Sequence, residues 1–221
     1  MDGQDRLSVA RVDSLPRREQ AIAVLRSVYR DEKGWVPEAD RLLPAEDLGR
    51  TGVAWFLAVD GSTPLGVVRL LFDLPLELYR AYGLKFLSSD LDMDSLLREY
   101  RIVEVGRFAV LPERRGDFLV AAHLMRAVAR ETLERRYTHL VTDVFEDDPN
   151  SPYEFHSRVL GFQPVATHDH GEVAVRGRRI TMLLDIRRAY ERLRSRRNWM
   201  FRFITEGWDD AGGVARLVAE A

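Results

Sequence analysis

The sequence predicts an α+β fold built on a mixed, mostly antiparallel sheet, and three observations predict it. Strand-like and helix-like segments follow one another in the order β α β β (α) β α β α β β α. Two of the strands flank Asp60-Gly61-Ser62-Thr63-Pro64, a loop too short for a crossover, so they pair as a hairpin. A third strand runs through Pro112-Glu113-Arg114-Arg115-Gly116 into a long helix, an arrangement suited to a ligand phosphate at the helix N-terminus.

The elements read as follows. Residues 6–12 alternate weakly as a first strand. Ser14 caps a helix in which Ala21, Val24, Leu25 and Val28 recur at helical spacing as far as Gly34. Residues 35–50 are irregular, with Pro37 and Pro44 among the acids Glu38, Asp40, Glu46 and Asp47. Residues 53–59 and 65–72 form the hairpin strands, and 75–99 is mixed and partly helical. The strand at 102–111 leads into a helix from Asp117 to about Arg136, with Leu119, Ala122, His123, Met125, Ala129 and Leu133 on its apolar side, so His123 reads as a core histidine. A strand at 139–145, a short helix ending at Gly161 and strands near 164–174 and 178–185 complete the sheet. An amphipathic helix from Ile186 to about Thr205 and a tail rich in Gly, Ala and Asp end the chain. The domain reading is residues 1–186 as one unit, with 187–221 a basic helix and tail packed on it.

Composition narrows the function classes. With 221 residues, 46% hydrophobic and 31% charged, a chain of this size buries ~70% of its unfolded surface and needs no staples. The absence of cysteine removes disulfides, zinc–thiolate sites and thiol nucleophiles. A net charge of −2 argues against a globally basic nucleic-acid binder. No apolar run is of membrane-spanning length and the first residues lack a signal-like stretch, so the expected location is the cytoplasm. Nearly all cations are arginine, Lys33 and Lys85 excepted, and seven arginines lie between Arg187 and Arg202 against one acid, Glu191.

The junction Val110-Leu111-Pro112-Glu113-Arg114-Arg115-Gly116, with Arg158-Val159-Leu160-Gly161-Phe162 later in the chain, resembles the GNAT acyltransferases. The resemblance implies a GNAT-like fold in which a splayed central strand pair, flanked by helices, holds the pantetheine arm of an acyl donor. Along the family's phosphate loop stand Arg115, Gly116, Asp117, Phe118, Leu119 and Val120. Phe118 and Val120 fall where the family has small residues, and Asp117 adds a negative charge. A donor with one phosphodiester, acyl carrier protein, suits such a loop better than the pyrophosphate of coenzyme A.

A narrower resemblance agrees. Arg26, Tyr29, Lys33-Gly34-Trp35, Gly66-Val67-Val68-Arg69-Leu70-Leu71 and Glu104-Val105-Gly106-Arg107-Phe108-Ala109-Val110 recur in that order in autoinducer synthases. The stretches 155–165 and 178–185 resemble the related N-acyl amino acid synthases of FeeM type. Glu46 and Asp47 are the acids near the autoinducer enzymes' aspartate pair, and this difference favours a plain amino acid over adenosylmethionine as acceptor.

Acyl transfer to an amine needs a neutral nitrogen, a polarised thioester carbonyl and a path for protons. Glu104 is the candidate base. On a regular strand Glu104 and Arg107 face opposite ways, and a bulge near Gly106 realigns them; the alternative is a structural ion pair. Phe108, Ala109 and Val110 with Arg115 and Gly116 form the donor side. Arg26 and Arg69 are candidates to grip the acceptor carboxylate, with Tyr29 and Trp35 at its pocket. Arg69 otherwise reads as a surface arginine and Trp35 as core. His156 is the candidate proton relay to the departing thiolate. His168-Asp169-His170 has metal-like spacing, but no third ligand accompanies it and a surface turn is preferred. Arg187, Arg194 and Arg197 form a candidate docking face for acyl carrier protein; a solvated face or transient contact with an anionic membrane are the alternatives.

The expected activity is therefore transfer of a long acyl chain from acyl carrier protein, or acyl-coenzyme A, to an amino acid, with no tightly bound cofactor and no metal. An acetyl-coenzyme A acetyltransferase, an acyl-homoserine lactone synthase and a non-catalytic carrier-protein-binding module are the rivals.

Overall fold

A computed structural model describes residues 7–72, 80–116, 118–173, 175–195, 198–206 and 208. Among the described residues eight strands, β1 (Leu7–Arg11), β2 (Val53–Asp60), β3 (Thr63–Phe72), β4 (Lys85–Phe86), β5 (Ile102–Val110), β6 (His139–Phe145), β7 (Gln163–His168) and β8 (Arg179–Asp185), occur in the order β1-β2-β3-β5-β6-β8-β7-β4. The pairs β1/β2, β2/β3, β4/β7, β6/β8 and β7/β8 are antiparallel, and β5/β6 is parallel. The α+β class and the mixed, mostly antiparallel sheet are therefore observed. The chain forms two compact units, Met1–Leu71 with Val105–Ala129, and Phe72–Glu104 with Arg130–Ala221.

In the first unit β1 (Leu7–Arg11) leads to α1 (Leu15–Leu25), where Pro16 occupies the first turn and its missing N–H costs nothing. The helix then widens over Arg26–Glu32, and the Lys33 N–H donates to the Val28 carbonyl five residues back. Gly34, at φ +63, ends it. Strands β2 (Val53–Asp60) and β3 (Thr63–Phe72) form the hairpin, but its turn is only Gly61-Ser62, since Asp60 pairs with Thr63. Gly61 takes φ +60, the left-handed value such turns require.

The helix α3 (Leu119–Glu134) begins close against β3. A Cβ on Gly66 would lie 2.8 Å from Val120 Cγ1, 3.0 Å from the Ala109 carbonyl oxygen and 3.1 Å from Leu124 Cδ1. Glycine is what permits that approach. The buried face of α3 includes Val120, Ala122, Leu124, Met125, Val128 and Ala129. Leu119 is exposed and His123 and Leu133 are half-buried, so the apolar stripe is rotated from the expected one and His123 is not a core residue.

In the second unit β4 (Lys85–Phe86) pairs with β7 (Gln163–His168), a two-residue strand the sequence pattern does not announce. Asp92 caps α2 (Met93–Glu99) by accepting from the Ser95 N–H at 2.8 Å. Strand β6 (His139–Phe145) is flanked by β8 (Arg179–Asp185). Strand β7 stops at His168 rather than near residue 174, and Ala174 lies outside the described residues.

The helix expected over 186–205 is two helices, α4 (Ile186–Arg194) and α5 (Trp199–Thr205). Asn198 breaks it by capping α5, its Oδ1 accepting from the N–H groups of Met200 and Phe201 at 3.0 and 3.2 Å. Ile186, Ala189 and Leu193 bury the inner face of α4. Leu76, Leu78, Tyr79, Asp117, Arg197 and the Gly- and Ala-rich tail lie outside the described residues. No described helix is long and apolar enough to cross a membrane.

Candidate active site

Strand β5 (Ile102–Val110) carries the candidate base and the donor residues. Its parallel register with β6 covers Ile102↔His139, Val103↔Leu140 and Glu104↔Val141. Val103 and Val105 are buried while Glu104 and Gly106 are half-buried, as a period of two requires; then Arg107 and Phe108 are both half-buried and Ala109 and Val110 both buried. The alternation breaks because Arg107 stands at φ +51. The irregularity expected near Gly106 thus falls on the arginine that follows it. Holding a side chain there costs about 1–2 kcal/mol, a strain that persists only where surrounding contacts impose it.

One such contact is aromatic. The Arg107 guanidinium lies 5.9 Å from the centre of the Tyr29 ring. Tyr29 is buried and meets Trp35 edge-on, ring centres 5.3 Å apart. Lys33 Nζ lies 5.5 Å from the Trp35 ring. The wide turn over Arg26–Glu32 is what brings Tyr29 inward, while Arg26 on the same turn is exposed. The structure therefore gathers Tyr29, Trp35 and Arg107 and leaves Arg26 outside that group.

Arg69 is buried, which removes the surface alternative. It pairs in register with Trp55, and its guanidinium lies 6.0 Å from that ring. The Trp55 indole N–H donates to Asp47 Oδ2 at 2.9 Å, and Arg50 donates to Asp47 Oδ1 at 3.2 Å. Asp47 is thus committed to holding Trp55.

On the donor side, Arg115 Nε donates to the Val110 carbonyl at 2.9 Å. Its two terminal nitrogens donate to Glu32 Oε1 and Oε2 at 2.8 and 2.6 Å, a fork-on-fork pair. Glu32 carries no sequence signal of this contact, since no local pattern links it to an arginine 83 residues away. A Cβ on Gly116 would meet nothing within 4 Å. Phe118 takes φ +57, a glycine-like conformation, with its ring about half exposed. Val120 is fully buried beneath Gly66, so it does not crowd the loop, contrary to the expectation from its bulk.

In the second unit, His156 sits on the turn Phe155–Leu160, 1% exposed, between the rings of Phe155 and Phe162. Burial pulls its pKa down to about 4, because an imidazolium loses its hydration there. At neutral pH it has no imidazolium proton to pass, so the relay role does not suit this seat. His168 is not on a surface turn: it ends β7 buried, with Nε2 3.2 Å from Asp143 Oδ1 and Nδ1 against the His170 carbonyl. Burial lowers its pKa, but Asp143 and the His170 carbonyl outweigh burial and raise it overall. Among the described residues no three His, Asp or Glu side chains are grouped to hold a metal ion.

Arg187 and Arg194 are exposed on α4, Arg187 pairing with Glu191 at 3.3 Å. Arg192 instead donates to the Gly161 carbonyl at 2.9 Å and ties the helix to the unit.

No protein-family model and no curated protein matches the sequence. Solved structures do match. FeeM, an N-acyl amino acid synthase from uncultured soil microbes, aligns with TM-score 0.65 and 18% identity over 84% of this chain and 93% of its own. A Desulfovibrio desulfuricans protein assigned to the GNAT acetyltransferase family aligns with TM-score 0.57 and 15% identity, covering 81% and 99%. An aminoglycoside 6′-N-acetyltransferase, solved with coenzyme A, aligns with TM-score 0.56 and 14% identity, covering 81% and 96%. At these identities the likeness establishes the fold: the chain has the GNAT acyltransferase fold.

Proposed function

We propose that the protein is an N-acyltransferase that moves a long acyl chain from acyl carrier protein to the amine of an amino acid in the cytoplasm. The observation that carries the reading is the break in β5 at Arg107, whose guanidinium lies 5.9 Å from the centre of the Tyr29 ring, three residues beyond Glu104. In the reaction the amine nitrogen attacks the thioester carbonyl, an N–C bond forms and the C–S bond breaks. Glu104 takes the amine proton, directly or through water. The tetrahedral oxyanion is held by backbone N–H groups around Phe108, Ala109 and Val110, dipoles fixed before the charge develops. The departing thiolate takes a proton from solvent.

Arg69 neutralises the acceptor carboxylate, with Arg107 in place of the exposed Arg26 because Arg107 lies beside Tyr29, and Tyr29 and Trp35 form the aromatic wall beside it. Arg115 and Gly116 receive the donor phosphate, and the exposed Phe118 ring in place of a small residue supports a single phosphodiester over a pyrophosphate. The exposed Arg187 and Arg194, with Arg197, supply the basic face for the acidic carrier.

A second reading, acetyl transfer from coenzyme A, is favoured by the acetyltransferases among the matching structures. Turnover decides between them. The chain has no cysteine, so thiol released from a donor is measured without background from the protein. Acyl carrier proteins loaded with C2 to C16 chains, and the matching coenzyme A thioesters, are supplied with single amino acids. Preference for long chains on the carrier protein supports the proposal; turnover confined to acetyl-coenzyme A supports the second reading.

A further inference from the structure

We infer that Glu32 is a donor-selecting residue: its carboxylate occupies Arg115 as an internal anion and raises the barrier to a diphosphate donor above that to a phosphodiester. This rests on Arg115 receiving the donor phosphate, as proposed above. Three observations carry it. Arg115 offers Glu32 both ends of its fork, at 2.8 and 2.6 Å, and is fixed from behind by its Nε bond to the Val110 carbonyl. The same Glu32 carboxylate lies 3.7 Å from Lys33 Nζ, so one acid neutralises two cations at the end of β5. The two side chains are partly shielded at a surface position, Arg115 31% and Glu32 23% exposed, so salt weakens the opposition without abolishing it.

A phosphate arriving at Arg115 must displace or share with this carboxylate. The opposition grows with the ligand's charge: a diphosphate meets more repulsion from Glu32 than a phosphodiester of charge −1, and loses more affinity. Removing the charge at residue 32 while keeping its shape takes the internal anion away from the Arg115 fork and leaves that fork to an incoming phosphate. A pair that serves stability alone has no reason to discriminate between donors, because its loss weakens the fold equally for both.

The test is equilibrium binding of coenzyme A and of the methyl ester of 4′-phosphopantetheine, a phosphodiester, to the wild-type protein, Glu32→Gln, and Glu32→Gln combined with Arg115→Ala, with melting temperature followed in parallel. Glu32→Gln is expected to tighten coenzyme A about tenfold and the phosphopantetheine ester by less, and the gain disappears when Arg115 is also removed. In turnover, the ratio of kcat/KM for acyl-coenzyme A to that for acyl carrier protein rises through KM, by less than tenfold because the phosphodiester donor also gains. Glu32→Asp, which keeps the charge, retains the wild-type preference. Equal affinities in wild type and Glu32→Gln, or a gain that survives loss of Arg115, overturn the inference. Binding is read without turnover, so an absence of acyl transfer with every donor would overturn the proposed function and leave this result standing on its own.

Discussion

Acidification should destabilise this protein through one side chain in particular, His156. It is buried with a pKa of about 4, against the ordinary 6.5 of the unfolded chain. Below pH 6.5 the unfolded state binds a proton that the folded state refuses, so stability falls as the pH drops and the loss is complete only below pH 4. A shift of this size amounts to about 3 kcal/mol at full titration. Between pH 7 and pH 5 the same two values give a loss of ~2 kcal/mol, which lowers the melting temperature of a chain this long by ~4–8 °C. His139, whose pKa is also lowered by burial, adds a loss of the same sign. His168 contributes in the other direction: its pKa is raised, so its stabilisation is present below pH 6.5 and is lost as the pH rises through its folded value. Urea denaturation of wild type and His156→Leu at pH 7 and pH 5 isolates the His156 share. The wild type should lose ~2 kcal/mol more than the variant over that interval. An equal loss in both proteins would refute the reasoning.

Three further outcomes are expected. Glu104→Gln keeps shape and removes the base, so kcat should fall 10²–10⁴-fold with little change in melting temperature; a fall below threefold would remove Glu104 from the chemistry. Gly66→Ala places a methyl group 2.8 Å from Val120 Cγ1 and 3.0 Å from the Ala109 carbonyl and should destabilise by about 1–3 kcal/mol in chemical denaturation, whereas a neutral result would mean that α3 is not packed this closely. Arg187→Glu with Arg194→Glu should raise KM for acyl carrier protein severalfold at low salt, an effect that fades as salt screens it; an unchanged KM takes α4 out of carrier docking.

The parts of the fold legible in sequence were those whose signal is local. Strand β6 occupies the same His139–Phe145 that its apolar run marks, and the β2/β3 hairpin follows from a glycine-containing turn between two apolar segments. Two-residue β4 carries too few side chains to show a period, and it exists because β7 offers it an edge. The continuous helix expected over 186–205 failed because a spacing argument counts apolar residues and ignores Asn198, whose side-chain oxygen starts a new helix. At the site, strand β5 and the grouping of Tyr29 and Trp35 with Arg107 were legible from the order of these segments along the chain. The rest depended on distance in sequence. Glu32 meets Arg115 across 83 residues, and Asp143 meets His168 on a different strand. Val120 differs from its expectation for a simpler reason: its bulk is plain in the sequence, but the space it fills is opened by the absence of a side chain on Gly66.

Mass spectrometry of the lipids from a bacterial host expressing the protein tests the central claim most directly, because the mass of an amide fixes both of its halves. Long-chain N-acyl amino acids should accumulate with the wild-type protein and be missing with Glu104→Gln. Finding only acetylated amines, or the same lipids from the Glu104→Gln strain, would contradict the account.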